Sequence, residues 1–207
     1  MRLPLLTGLF ALLLTLFGAG NAVAEPWVAL AQAQPTRNPA KVEVIEFFWY
    51  GCPHCYDAEP HIAAWVERQP AAVEFVRVPA IFNARWAVLG RAYYAMQQLK
   101  LGDKEHRALF DAIHRDHKNL NDEASLADFL AGLGVPREKF VAAFNSFDVN
   151  GKVGRANRMT AAYGLEGVPA FIVNGKYRID GTTAGSEAGM FTALDQLVAQ
   201  ELRQLKK

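Results

Sequence analysis

The 207-residue chain has only two cysteines, three positions apart in Gly51-Cys52-Pro53-His54-Cys55. The stretch before them, Val42 to Tyr50, is β-branched and aromatic, which predicts a strand apolar enough to be central. Gly51 breaks it. From Cys52 the apolar positions Tyr56, Ile62, Trp65 and Val66 turn helical, ending before Pro70. Proline is favoured at the first helical position, so Pro53 makes Cys52 the N-cap. The Cys52 sulfur then faces the unpaired amides of His54 and Cys55 and the positive end of the helix dipole. Both favour an anion, so Cys52 is expected to be a thiolate near neutral pH. His54 adds a donor and, when protonated, a positive charge. Cys55 lies one turn inside and can reach Cys52 as a resolving thiol. The chemistry this spacing suits is dithiol–disulfide exchange.

Other uses of the pair fit less well. A zinc site takes about four ligands. There is no second C-x-x-C, and His54 and His61 are the only histidines nearby. Covalent haem needs histidine directly after the second cysteine, where Tyr56 stands. A static disulfide closing so short a loop would add little stability. His106, His114 and His117 fall on one predicted helix. His114 and His117 could share a face as metal ligands, but Arg115, Asp116 and Lys118 favour a solvated face. No metal site is expected.

The elements that must hold this pair are legible from periodicity. A second strand, Val73 to Val78, makes strand, helix and strand a βαβ unit. From Arg85 to Ala162 the pattern is helical throughout. Trp86, Leu89, Tyr93 and Met96 lie at helical spacing. Gly102-Asp103 starts a helix carrying Leu109, Phe110, Ile113 and Leu120. Asn121-Asp122 opens a short helix that ends at Gly132 or Gly134. Val135-Pro136 starts another, and Ser146 or Asp148 caps the last, which Gly164 stops. Ala170 to Val173 is again a strand, and Asn174-Gly175 predicts a two-residue hairpin into Lys176–Asp180. A helix from about Ser186 to Leu205 closes the chain. The fold class is α/β, with a helical domain inserted between a βαβ unit and a C-terminal ββα unit. The expected division is residues 25–84 and 163–207 for the α/β domain and 85–162 for the insertion. Trp86, Tyr93 and Tyr94 are expected in the core or at the domain interface. Trp49 and Tyr50 suit either the groove beside Cys52 or the interior of the strand.

Residues 1–24 read as a secretory signal peptide: Met1-Arg2, an apolar run from Leu9 to Phe17, then Ala22-Val23-Ala24. The run is shorter than the roughly 20 residues a membrane span needs. Cleavage after Ala24 removes Arg2, leaving 21 basic residues against 21 acidic and a net charge of zero. That balance gives no electrostatic footprint for nucleic acid. The mature protein is expected in a compartment that permits disulfides. Glu25 to Lys41 reads as a leader with one short edge strand at Trp27–Leu30.

The stretch from Glu46 to Tyr56, Glu-Phe-Phe-Trp-Tyr-Gly-Cys-Pro-His-Cys-Tyr, resembles the DsbA family of periplasmic disulfide oxidases. Gly167-Val168-Pro169-Ala170-Phe171-Ile172-Val173-Asn174-Gly175-Lys176-Tyr177 resembles that family's second motif, and the insertion between them has the size and place expected of it. The likeness spans essentially the whole mature chain and implies a thioredoxin-like fold. It implies that Cys52 is the nucleophile, Cys55 its partner and His54 the residue stabilising the thiolate. Val168-Pro169 would hold a cis bond facing the active site and bind substrate backbone. Glu46 matches a buried acid that helps move protons beneath the disulfide, and Glu59 a further, modulating acid. The family pairs the first acid with a lysine on the next strand. Arg77 is the best candidate here, and that departure leaves the pairing open. Pro60 matches a proline inside the active-site helix. The resemblance also implies a quinone-linked inner-membrane partner of the DsbB type and no cofactor beyond the cysteine pair.

These residues predict an oxidoreductase that donates disulfides to newly exported proteins. With only Glu25 to Lys41 ahead of the first main strand, a monomer is expected. Two other readings use the same fold: a disulfide isomerase or reductant, and a redox-inert peptide-binding chaperone.

Overall fold

The β-branched and aromatic run forms the fully buried strand β2 (Val42–Phe48), an interior strand of the sheet. Around it lie β1 (Val28–Ala29), β3 (Val73–Pro79), β4 (Ala170–Val173) and β5 (Tyr177–Asp180), in the order β1-β5-β4-β2-β3. The computed structural model describes residues 25–205, so the expected signal segment, 1–24, lies outside the described residues. β2 and β3 are parallel, which requires a crossover; helix α1 (Pro53–Glu67) supplies it. The other pairings are antiparallel. Between β3 and β4 come α2 (Ala84–Gln98), α3 (Asp103–His114), α4 (Glu123–Gly132), α5 (Arg137–Phe144) and α6 (Phe147–Ala162). After β5 come the single turn α7 (Gly181–Ala184) and the long α8 (Glu187–Leu205).

Two apolar clusters cover the sheet. Val42 and Val44 pack with Ile62 and Trp65 of α1, and with Leu194, Leu197 and Val198 of α8. Ile45 and Phe47 point the other way, into the larger cluster shared with α2 to α6. Side chains alternate along a strand, so Glu46 falls on the face with Val44, beneath α1.

Three local details differ from expectation. Helix α3 stops at His114 rather than carrying Leu120. His117 adopts φ 52, and the Lys118 amide bonds back to the Ala112 carbonyl at 2.8 Å. That left-handed residue is the helix stop. The register Val173↔Tyr177 leaves three residues, Asn174 to Lys176, in the hairpin turn rather than two. The turn α7 was not foreseen. Asp180 caps it by accepting from the Thr182 and Thr183 amides, and Gly185, at φ 72, ends it.

A buried hydroxyl ties the insertion to the segment that follows β3. Thr160 of α6 accepts the Ile81 amide at 3.0 Å and donates to the Ala156 carbonyl at 2.9 Å. Thr160→Val keeps the shape but leaves the Ile81 amide without a partner. We expect a loss of about 1–3 kcal/mol in urea unfolding. An unchanged midpoint would show that this bond does not anchor the insertion.

Candidate active site

Cys52 is the N-cap of α1 and Pro53 its first residue. The chain reaches this point through Gly51, where a Cβ would come within 2.4 Å of the Trp49 ring. Glycine thus lets Trp49 fold back, and it stacks on Trp86 at 4.2 Å. Trp49, Trp86 and Phe82 wall one side of a cleft that contains Cys52 and Val168. A second cavity, of about 480 Å³, opens on the other side between His54, Pro169 and Met190. The Val168–Pro169 peptide is cis, and the Cys52 thiol donates to the Val168 carbonyl at 3.3 Å.

The two sulfurs are held unequally. As a thiol, Cys52 makes no capping hydrogen bond. Several groups favour its ionised form. The Cys55 thiol, as a donor, contributes most. Burial opposes it, and the Cys55 and His54 amides and the His54 charge add to it, bringing the Cys52 pKa down to about 6. Cys55 is fully buried, and burial pushes its thiol well above the usual range. One cysteine is therefore built to leave as an anion and the other to keep a proton. His54 itself is exposed.

Beneath the pair lies a buried charge network. The parallel register sets Glu46 beside Arg77, and the Arg77 Nε donates to Glu46 Oε2 at 3.0 Å. Arg77 Nη2 donates to Glu59 Oε2 at 3.2 Å. Glu46 is 0% exposed and Glu59 6%. Burial pushes the Glu46 carboxyl up to about 8, with Arg77 opposing and Glu59 reinforcing the rise. Burial also acts to raise Glu59, but His106 and Arg77 outweigh it and hold Glu59 below the usual carboxylate range. Glu46 is among the charges that act on Cys55. The lost i→i−4 bond at Pro60, inside α1, falls one residue beyond Glu59.

Of the two histidines expected on a solvated face, His114 departs from it and His117 does not. His106 is 5% exposed, with Nε2 at 3.1 Å from Glu59 and Nδ1 at 2.6 Å from the Tyr50 hydroxyl. His114 is half-buried and donates to the Tyr50 carbonyl at 2.8 Å. Only His117 is exposed, past the end of α3. The reason is that α3 presents His106, Phe110 and His114, one turn apart, to α1 and to the segment before Cys52. The spacing His106–Phe110 beside Leu109 was the available signal, masked by the charges after His114. Among the described residues, no three His, Cys, Asp or Glu side chains gather as a metal-binding group. Tyr50 lies just past β2 and is fully buried, whereas Trp49 reaches the cleft.

Residues 75–188 match the family model of the DSBA-like thioredoxin domain. The chain is 42% identical over 212 residues to the thiol:disulfide interchange protein DsbA of Pseudomonas aeruginosa, covering all of both chains. It is 40% identical to the DsbA of Azotobacter vinelandii, over 94% of this chain and 92% of that one. The crystal structure of Pseudomonas aeruginosa DsbA superposes with a TM-score of 0.84, covering 88% of this chain and 95% of that one. That of the oxidoreductase DsbA from Xylella fastidiosa gives 0.80 at 32% identity, over 86% and 95%.

Proposed function

The chain belongs to the DsbA family and is a thiol:disulfide interchange oxidoreductase, and from that premise we propose that it donates disulfides to exported proteins in the periplasm through Cys52-Pro53-His54-Cys55. The observation that carries this reading is the asymmetry of the pair, a depressed Cys52 beside an elevated Cys55.

The reaction starts from the Cys52–Cys55 disulfide. A substrate thiolate attacks the Cys52 sulfur, forming a mixed disulfide and expelling the Cys55 thiolate. Cys55 takes a proton from Glu46, the neutral acid beneath it. A second substrate thiolate then attacks the substrate sulfur of the mixed disulfide, and Cys52 leaves as a thiolate. The substrate has lost two electrons and the pair has gained them. Pro53 starts the helix and so makes Cys52 its cap. His54 stabilises the departing thiolate. Val168 and Pro169 offer the backbone against which a substrate segment pairs beside Cys52. Arg77 and Glu59 hold and tune Glu46.

A thiolate that leaves readily stabilises the reduced form and makes the disulfide oxidising. The redox group is the cysteine pair itself, with no bound cofactor. A quinone-linked membrane protein of the DsbB type would return it to the disulfide, and the protein would act as a monomer without nucleic acid.

The test is the redox equilibrium in glutathione buffers, read by thiol trapping of Cys52 and Cys55. The pair is expected to stay reduced until the buffer is strongly oxidising. A disulfide already formed in strongly reducing buffer would mean a reductant or a structural bond.

A further inference from the structure

The mechanism uses Glu46, but Arg77 lies between two buried acids, its Nη1 reaching only the exposed Asp103 at 3.4 Å. Its Nε serves Glu46 at 3.0 Å and its Nη2 serves Glu59 at 3.2 Å. Two buried carboxylates facing one guanidinium leave a negative charge uncompensated, so one of them keeps its proton. Arg77 alone does not decide which one, since it offers each a single hydrogen bond.

His106 breaks the tie. The Tyr50 hydroxyl is fully buried, and among the described residues its hydrogen-bond partner is His106 Nδ1 at 2.6 Å. A buried hydroxyl without an acceptor is costly, so Tyr50 donates to Nδ1. A ring nitrogen that accepts carries no hydrogen, which places the imidazole proton on Nε2. Nε2–H therefore donates to Glu59 Oε1 at 3.1 Å. Glu59 now has both oxygens bonded to donors, the arrangement of an ionised carboxylate. Glu46 has one oxygen on Arg77, while its Oε1 is buried with no partner among the described residues. A lone carboxylate oxygen buried in this way is far costlier than a neutral carboxyl.

We propose that His106, oriented by Tyr50, is a positioning residue that makes Glu59 the ionised acid and Glu46 the protonated one, so that the buried proton stands beneath Cys55. The other groups facing His106 agree with a neutral ring. Arg77 opposes a charge on it, and burial is the largest influence holding its pKa down, ahead of the opposing Glu59 and the exposed Asp103 on its own helix. From α2 comes Tyr93, and Phe48 and Phe110 close the rest of the ring's surroundings. The inference deepens the proposed function and rests on Glu46 supplying the Cys55 proton. It also carries the acid's control into the insertion, since His106 belongs to α3.

The carboxylic-acid C=O band in the infrared reports the proton directly, because a carboxylate lacks it. In the full-chain protein with the Cys52–Cys55 disulfide formed, near neutral pH, the buried-acid band should vanish in Glu46→Gln and survive in Glu59→Gln. In the His106→Leu background Glu59 loses its donor, and a band should survive Glu46→Gln. His106→Gln restores an amide donor and should restore the wild-type pattern. The proposal is overturned if the wild-type band follows Glu59, or if His106→Leu leaves the band wholly dependent on Glu46. Should His106→Leu fail to fold, ¹⁵N spectra of the wild-type ring decide. A neutral Nε2–H form supports the proposal, and an Nδ1–H or cationic ring ends it. Disulfide-transfer rates separate the two readings. A Glu46→Gln protein that transfers at the wild-type rate defeats the role of Glu46 in the reaction and leaves the place of the proton standing.

Discussion

Cys52→Ser should abolish disulfide transfer to a reduced, unfolded substrate protein, not merely slow it. The chain has two cysteines, so without Cys52 no intramolecular disulfide can exist to be donated. Cys55 cannot substitute, being fully buried with its thiol held in the protonated form. The variant should nevertheless fold. Serine is among the preferred N-cap residues, with an oxygen that accepts from the amides two and three positions on, and Cys52 occupies that cap. The loss is therefore one of chemistry, and peptide binding to the cleft beside Val168 should persist. Thiol trapping and the rate of substrate oxidation are the readouts. Retained oxidation would defeat the exchange mechanism and favour a binding-only role for the cleft.

What was legible in the sequence followed from locality. Gly51 to Cys55 lie within one strand-to-helix junction, so their types alone place Cys52 at a helix cap. The Glu46–Arg77 pair needs two strands in register. β2 starts at Val42 and β3 at Val73, and counting four on from each start reaches Glu46 and Arg77. The resemblance leaves that pairing open because Arg77 stands where the family has a lysine, and the register Glu46↔Arg77 with its 3.0 Å hydrogen bond brings the two together. The cis peptide at Val168–Pro169 has no local signature, since most X–Pro bonds are trans; it was inferred by resemblance alone. The contacts of His106 are hidden from the sequence for another reason. Its partners Tyr50 and Glu59 lie 56 and 47 residues away, and no helical pattern shows which buried group a polar residue will meet. The charges at 115, 116 and 118 predict a solvated face for His114 and His117, but they follow the end of the helix, and only His117 is exposed.

Arg77→Met should cost about 3–5 kcal/mol of folding stability near neutral pH, because removing one partner strands the others as buried acids. Methionine keeps much of the side chain's bulk, so the loss is chiefly electrostatic. Its pH dependence separates this cause from lost packing. In the wild type, Glu59 sits below the usual carboxylate value. The stability it contributes is present above its unfolded pKa and disappears as pH falls through the folded one. Glu46 works in the opposite sense. Its pKa is raised to about 8, so the neutral acid is tolerated at lower pH and stability falls as pH rises through that value. Without Arg77, the opposing attraction is gone from both acids and the folded-state values of both rise. For Glu46 the loss of stability with rising pH then deepens, and for Glu59, still bonded by His106, the stability present above its unfolded pKa shrinks. The variant should thus lie nearest the wild type in acid, once the pH has fallen through the folded value of Glu59 and both carboxyls hold their protons, and diverge from it steadily toward neutral pH. Urea unfolding of the two proteins across that range measures the gap. A gap of constant size would mean that Arg77 acts by packing over Phe75, whose ring it covers at 5.3 Å, and that the buried acids are held by something other than its charge.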